Sequence, residues 1–109
     1  MIDEKEILKA AINLFGAEQQ ENMCIEECAE LIQAINKKHR GKPHNIPEEI
    51  ADVEITLAYL KLTNNCAEEV EENKQKKLQR LSREVALRGE PASASFNSSL
   101  GSFTICKIC

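Results

Sequence analysis

The sequence predicts an all-α protein, an oligomeric antiparallel four-helix bundle with a flexible C-terminal tail. The first 88 residues carry apolar side chains at spacings of three and four, interrupted by short breaks that contain Gly or Pro. After Arg88 the composition changes, because Gly89 and Pro91 stop a helix and the rest is rich in Ser and has no helical period. We therefore divide the chain into an all-α helical domain at residues 1–88 and a Ser-rich tail at residues 89–109.

The first two helices are predicted at about Asp3 to Phe15 and about Ala17 to His39, with Gly16 as the break between them. Their apolar positions are Ile7, Leu8, Ala11, Ile12 and Phe15, then Met23, Cys24, Leu31, Ala34 and Ile35. A loop with Gly41 and Pro43 follows the second helix. Short connections of this kind favour antiparallel neighbours in a bundle.

The third helix is predicted to begin near Pro47 and to reach about Thr63, and the fourth covers roughly Ala67 to Arg88. Apolar side chains surround nearly the whole third helix, which indicates burial on all sides. An 88-residue bundle can barely bury such a helix alone. The sequence therefore predicts a homodimer or a higher symmetric assembly.

Charge and composition exclude several classes of function. The chain has 109 residues with 14 basic and 18 acidic side chains, so it lacks the basic excess that nucleic-acid binding requires. No apolar run approaches the ~20 residues of a membrane span, and the charged start does not resemble a signal peptide. We expect a cytoplasmic protein that binds neither nucleic acid nor membrane.

The five cysteines favour a reducing compartment. Cys24, Cys28 and Cys66 lie within helical patterns and are expected to be free thiols. Cys106 and Cys109 could bind a metal or undergo redox chemistry, but no second pair of ligands at a usable spacing supports a zinc site.

Two acidic clusters in the middle helices carry the chemistry. Glu27 and Glu30 lie on one face of the second helix one turn apart, and Glu49 and Asp52 repeat this arrangement on the third. None of these four, nor Glu26, has a Lys or Arg three or four positions away, as an exposed helix with ion pairs would. Converging carboxylates require a cation, and hard oxygen donors suit Mg²⁺, with Mn²⁺ as a substitute.

These residues resemble the MazG-like group of all-α nucleoside triphosphate pyrophosphatases. The signature E-E-x-x-E, a spacer and E-x-x-D stands here as Glu26-Glu27-x-x-Glu30, 18 residues, and Glu49-x-x-Asp52. The match spans about Leu14 to Leu81, within the helical domain. It implies Mg²⁺-dependent hydrolysis of a (d)NTP to (d)NMP and pyrophosphate by a homodimer or homotetramer that cleanses the nucleotide pool.

The resemblance also implies roles for individual residues. The metal would be held by Glu27, Glu30, Glu49 and Asp52. Glu26 is the candidate to orient or deprotonate the attacking water, and the equal alternative is that it supports a metal ligand or is simply exposed to solvent. The fourth helix carries Lys74, Lys77 and Arg80, which we interpret as phosphate-binding. The alternative is that the lysines lie at the edge of the apolar stripe, with their aliphatic stems buried and their charged ends in water. Gln20 lies on the same face of the second helix as Glu27 and is the candidate base-binding residue; the alternative is a polar residue near the helix start without a role in binding. The basic run at Lys37, Lys38, Arg40 and Lys42 is interpreted as a solvated helix end.

Two other functions are compatible with the sequence. A non-catalytic helical adaptor or nucleotide sensor could keep the fold and signal through the tail. A different hydrolase, such as a dUTP-specific or pyrophosphate-handling enzyme, could use the same carboxylates. The intact acidic clusters argue against the adaptor, because crowded carboxylates repel one another without a ligand.

Overall fold

The computed structural model describes residues 2–89, which form four α-helices and no strand. This confirms the all-α class and the order of the helices. The described elements are α1 (Glu4–Phe15), α2 (Ala17–His39), α3 (Ile46–Thr63) and α4 (Ala67–Arg88). Each predicted boundary agrees to within one residue.

The junction between α1 and α2 is a single glycine. Asp3 caps α1 through its side chain, which accepts a hydrogen bond from the backbone N–H of Glu6 at 3.3 Å. Gly16 ends the helix with φ at +93°, a conformation that side chains with a Cβ rarely adopt, and its N–H donates to the Ile12 carbonyl at 2.8 Å. The chain therefore changes direction at Gly16 and begins α2 at once.

The loop between α2 and α3 is held by local hydrogen bonds at both helix ends. The backbone N–H of Lys42 donates a hydrogen bond to the Lys37 carbonyl at 2.9 Å, and Gly41 adopts a left-handed φ of +71°. Pro47 lies in the first turn of α3, where its missing N–H costs nothing. Because this loop is short, it brings the end of α2 and the start of α3 together.

The described residues fall into two compact units, one ending at Ala67 and the other beginning at Glu68. The first unit contains α1, α2 and α3, and α2 packs extensively on α3. The second contains α4, whose last turn carries an ion pair from Arg88 Nε to Glu84 Oε2 at 2.7 Å.

The buried part of residues 2–89 is small and unusually polar. The buried apolar side chains are Leu8, Cys24 and Ala34. They are accompanied by three buried polar side chains, Gln20, Glu49 and Thr56. Thr56 is satisfied locally, because its hydroxyl donates to the Val53 carbonyl at 2.8 Å. By contrast, Oε1 of Gln20 and Oε1 of Glu49 have no hydrogen-bond partner in the described residues.

Helix α3 differs from the sequence expectation in what it buries. Its two buried residues are Glu49 and Thr56, whereas Ile50, Ile55 and Leu57 are 42–49% exposed. Part of the apolar circumference predicted for this helix is therefore exposed in the described part of the chain.

The structure confirms the expected free thiols, with Cys24 buried and Cys28 and Cys66 half-buried. Across residues 2–89, none of the helices combines the length and apolar character needed to cross a membrane. The predicted flexible tail lies outside the described residues beyond Gly89, and with it Cys106 and Cys109. The single domain at residues 1–88 stays a prediction.

Candidate metal centre

Three of the four predicted metal ligands converge between α2 and α3. Glu27, Glu30 and Glu49 each present a carboxylate oxygen, and these three oxygens lie within 4.8 Å of one another. Two oxygens on opposite sides of a hard divalent cation are separated by about 4–5 Å. The spacing therefore matches one cation bound by three carboxylates from two helices.

Glu49 is the most enclosed of these carboxylates, with 9% of its surface exposed. Burial raises its pKa, and the nearby charges of Glu30 and Asp52 raise it further, while a hydrogen bond from the Asn45 amide acts in the opposite direction. This carboxylate stands in the first turn of α3, where the helix dipole favours negative charge. The dipole and the single amide are the local features that favour its ionised form.

Glu27 has the same electrostatic surroundings on the opposite helix. Its pKa is raised, and burial is the largest cause. The next causes, in decreasing size, are the charges of Asp52, Glu30, Glu49 and Glu26. Asp52 therefore acts most strongly on Glu27, as Glu30 does on Glu49. The fourth predicted ligand, Asp52, is therefore near Glu27, but it is not one of the three residues whose oxygens lie within 4.8 Å of one another.

Two of the carboxylate oxygens are buried without a hydrogen-bond donor. Oε1 of Glu27 and Oε1 of Glu49 are both inaccessible to solvent, and neither has a partner among residues 2–89. A buried acceptor without a donor costs about 1–3 kcal/mol, and more if it is charged. Both oxygens belong to the three-carboxylate cluster, so a bound cation would satisfy them together.

A cleft of about 280 Å³ opens beside the cluster, and Glu30 and Glu49 form part of its wall. The other lining residues are Gln33, Ala34, Lys37 and Asn45. Sequence reasoning gave no role at the site to Gln33, Lys37 or Asn45. Helical spacing could have identified them, because Gln33 and Lys37 follow Glu30 by three and seven residues and Asn45 precedes Glu49 by four.

The remaining predicted site residues differ in their surroundings. Glu26 is exposed on α2. Gln20 is only 1% exposed, and its Oε1 has no hydrogen-bond partner in the described part of the chain. Lys74, Lys77 and Arg80 all lie on α4, in the second unit, with Lys77 half-buried and the other two exposed.

A second cleft, of about 530 Å³, lies at the junction of α1 and α2 and is lined by none of the clustered carboxylates. Its wall is formed by Phe15, Gly16, Ala17, Glu18, Gln19 and Asn22.

Comparison of the whole chain with protein-family models, curated proteins and solved structures finds no match. Functional inference therefore depends on the carboxylate cluster and its surroundings.

Proposed function

We propose that this protein is a Mg²⁺-dependent nucleoside triphosphate pyrophosphohydrolase of the MazG-like family. It would convert a (d)NTP to (d)NMP and pyrophosphate and so cleanse the nucleotide pool. The observation that carries the proposal is the cluster of Glu27, Glu30 and Glu49, which brings one oxygen of each residue within 4.8 Å of the others. Glu27 and Glu49 also each have a buried oxygen without a hydrogen-bond donor in the described residues. Such a cluster is stable when a cation offsets the repulsion between its carboxylates.

The donor set fits Mg²⁺, with Mn²⁺ as a substitute, because every ligand is a hard carboxylate oxygen. Glu27, Glu30, Glu49 and Asp52 would hold the ion. When bound, the ion polarises phosphate oxygens and water for in-line attack at phosphorus. These carboxylates come from two helices that pack directly on each other, so they would hold the ion at a fixed position.

The other residues would bind the rest of the substrate. Glu26 is exposed one residue before Glu27, where it could orient or deprotonate the attacking water. Lys74, Lys77 and Arg80 would bind the phosphates, since four carboxylates alone would repel a triphosphate. Gln20 would contact the base through Oε1, which is buried and has no hydrogen-bond partner in the described residues.

The active form would be a homodimer or homotetramer. The exposed apolar side chains of α3 support this proposal, because they would leave water at an interface between copies. Further large exposed apolar residues on the first two helices are Ile7, Leu14, Phe15, Ile25 and Ile32. Sedimentation of the protein at several concentrations tests it, and a monomer at all concentrations would contradict it.

The charge distribution is compatible with one alternative, a non-catalytic helical adaptor or nucleotide sensor. Such a protein would bind a metal or a nucleotide at the same cluster without turnover. The two functions differ in their products, since only the enzyme releases pyrophosphate.

The decisive experiment is incubation with each common NTP and dNTP plus Mg²⁺, followed by separation of the products. We expect monophosphate and pyrophosphate, and we expect both to be lost in the Asp52→Asn variant. Glu54→Gln is the matched control, because this exposed α3 residue loses the same charge outside the cluster. Diphosphate and phosphate as products would refute the reaction class, and no turnover would favour the sensor.

A further inference from the structure

The cleft beside the metal centre is lined by groups of both charges. Glu30 and Glu49 form its acidic wall, and Lys37 lines the same cleft. Lys37 follows Glu30 by seven residues, so it lies on the same face of α2 about 10 Å along the helix axis. The carboxylates and the ammonium group therefore mark two separated positions on one surface.

We propose that Lys37 is a substrate-binding residue that contacts the polyphosphate chain of the bound nucleotide. This inference rests on the proposed function, which supplies the polyphosphate and the cation. A metal-bound polyphosphate is a chain of negative oxygens that extends away from its cation, so a second positive group is needed beyond the first. Lys37 supplies that group from the same helix that carries Glu27 and Glu30.

The charge of Lys37 is not paired with the acidic wall. In the described part of the chain, Lys37 forms no ion pair with Glu30 or Glu49, so its ammonium nitrogen lies more than 4 Å from their carboxylate oxygens. This separation leaves space in the cleft for a ligand that contacts both.

Two amide side chains line the same cleft and complete a polar wall. Asn45 donates from Nδ2 to Glu48 Oε1 at 3.0 Å, so its amide is held at the start of α3. The same amide also donates a hydrogen bond to Glu49, so Asn45 fixes the acidic wall in place. Gln33 lies between Glu30 and Lys37 on α2, and its primary amide offers N–H donors for a phosphate oxygen.

The alternative explanation for Lys37 is the helix dipole, since α2 ends with Lys37, Lys38 and His39. A dipole effect does not distinguish Lys37 from Lys38, which stands in the same last turn. Lys38 does not line the cleft, whereas Lys37 does. Lys38 is therefore a matched control for charge, helix position and exposure.

The test uses Mn²⁺ and inorganic tripolyphosphate as probes, with the full chain and calorimetric titration. We expect Lys37→Met to weaken tripolyphosphate binding to the Mn²⁺-loaded protein about 10-fold or more, the effect of losing one charge-assisted hydrogen bond. Lys38→Met should change it less than about 2-fold, and Lys37→Arg should restore most of it. Affinity for Mn²⁺ alone should not fall in any of these variants.

Two results would overturn the inference: equal effects of Lys37→Met and Lys38→Met, or no binding of tripolyphosphate by the Mn²⁺-loaded wild type. Its failure can be distinguished from failure of the proposed function. If nucleotides are hydrolysed but the two Met variants behave alike, only the role of Lys37 is wrong. If tripolyphosphate binding depends on Lys37 but no nucleotide is hydrolysed, only the proposed reaction is wrong.

Discussion

The acidic residues of α2 and α3 differ from those of α4 in what surrounds them. On α4, Glu84 pairs with Arg88 at 2.7 Å, and Glu71 accepts a hydrogen bond from Gln75 at 2.9 Å. Between α2 and α3, Glu27 and Glu49 are surrounded by other carboxylates and each has a buried oxygen without a donor. The same residue type has a local partner in one region and is crowded by other carboxylates in the other, and the proposed cation site would explain that difference.

The sharpest test of this difference is to neutralise one carboxylate of the cluster. Glu49→Gln should reduce turnover at least about 100-fold, because the ion would lose a ligand that positions it in the transition state. The metal-free protein should unfold at the same or a higher denaturant concentration, since the change removes repulsion from Glu30 and Asp52. Steady-state kinetics and urea unfolding of the same preparation measure both effects.

Glu54→Gln serves as the control here too, and neither turnover nor stability should change substantially. If Glu49→Gln unfolds the metal-free protein, the cluster is structural and its interpretation as a set of metal ligands is wrong.

The second test adds the cation instead of removing a carboxylate. Mg²⁺ or Mn²⁺ should raise the free energy of unfolding by about 2.7 kcal/mol when present at 100 times its dissociation constant. Thermal unfolding with and without chelator measures this increase. The increase should be lost in Glu49→Gln and retained in Glu84→Gln on α4; equal increases in both variants would show that the ion binds elsewhere.

The third test concerns pH in the metal-free protein. Because the pKa values of Glu27 and Glu49 are raised by burial first and by neighbouring carboxylates second, the folded state holds these protons more tightly than the unfolded state. Stability from this source is present below the unfolded pKa of about 4.5 and is lost as pH rises through the folded pKa values. Unfolding in the presence of chelator should therefore become easier as pH rises from about 4.5 toward neutrality.

The reference for this pH profile is the Glu27→Gln, Glu49→Gln double variant, in which the loss of stability across that range should be reduced. Saturating Mg²⁺ should oppose the same loss, because the ion binds the deprotonated carboxylates. A wild-type profile identical to that of the double variant would contradict the assigned pKa directions.

Sequence reasoning predicted the helices well because their ends are encoded locally. Asp3 caps α1, Gly16 ends it with a positive φ, and Pro47 marks the first turn of α3. The acidic cluster was predictable for a similar reason. A spacing of three residues places two carboxylates on one face, and a short loop makes the two helices neighbours.

Burial and the full set of residues around the cleft were not predictable in this way. Apolar periodicity suggested that α3 buries its isoleucines and leucines, yet Glu49 and Thr56 are its buried residues. Periodicity reports which face is apolar, whereas burial depends on which partner covers that face. Lys37 was assigned to a solvated helix end for a related reason, since its position on the cleft wall appears only when α3 is in place.

The smallest expected effect is the loss of the Glu84–Arg88 ion pair on α4. Arg88 is 40% exposed and Glu84 18% exposed in their i,i+4 pair, a geometry that contributes about 0.2–0.5 kcal/mol. Glu84→Gln should lower the free energy of unfolding by no more than this amount, and 1 M salt should diminish the difference. Because this carboxylate already has its cation in Arg88, its removal should leave Mg²⁺ affinity unchanged. Metal titration of the variant checks this, and a loss of affinity would place Glu84 in the metal centre and erase the distinction between the two regions.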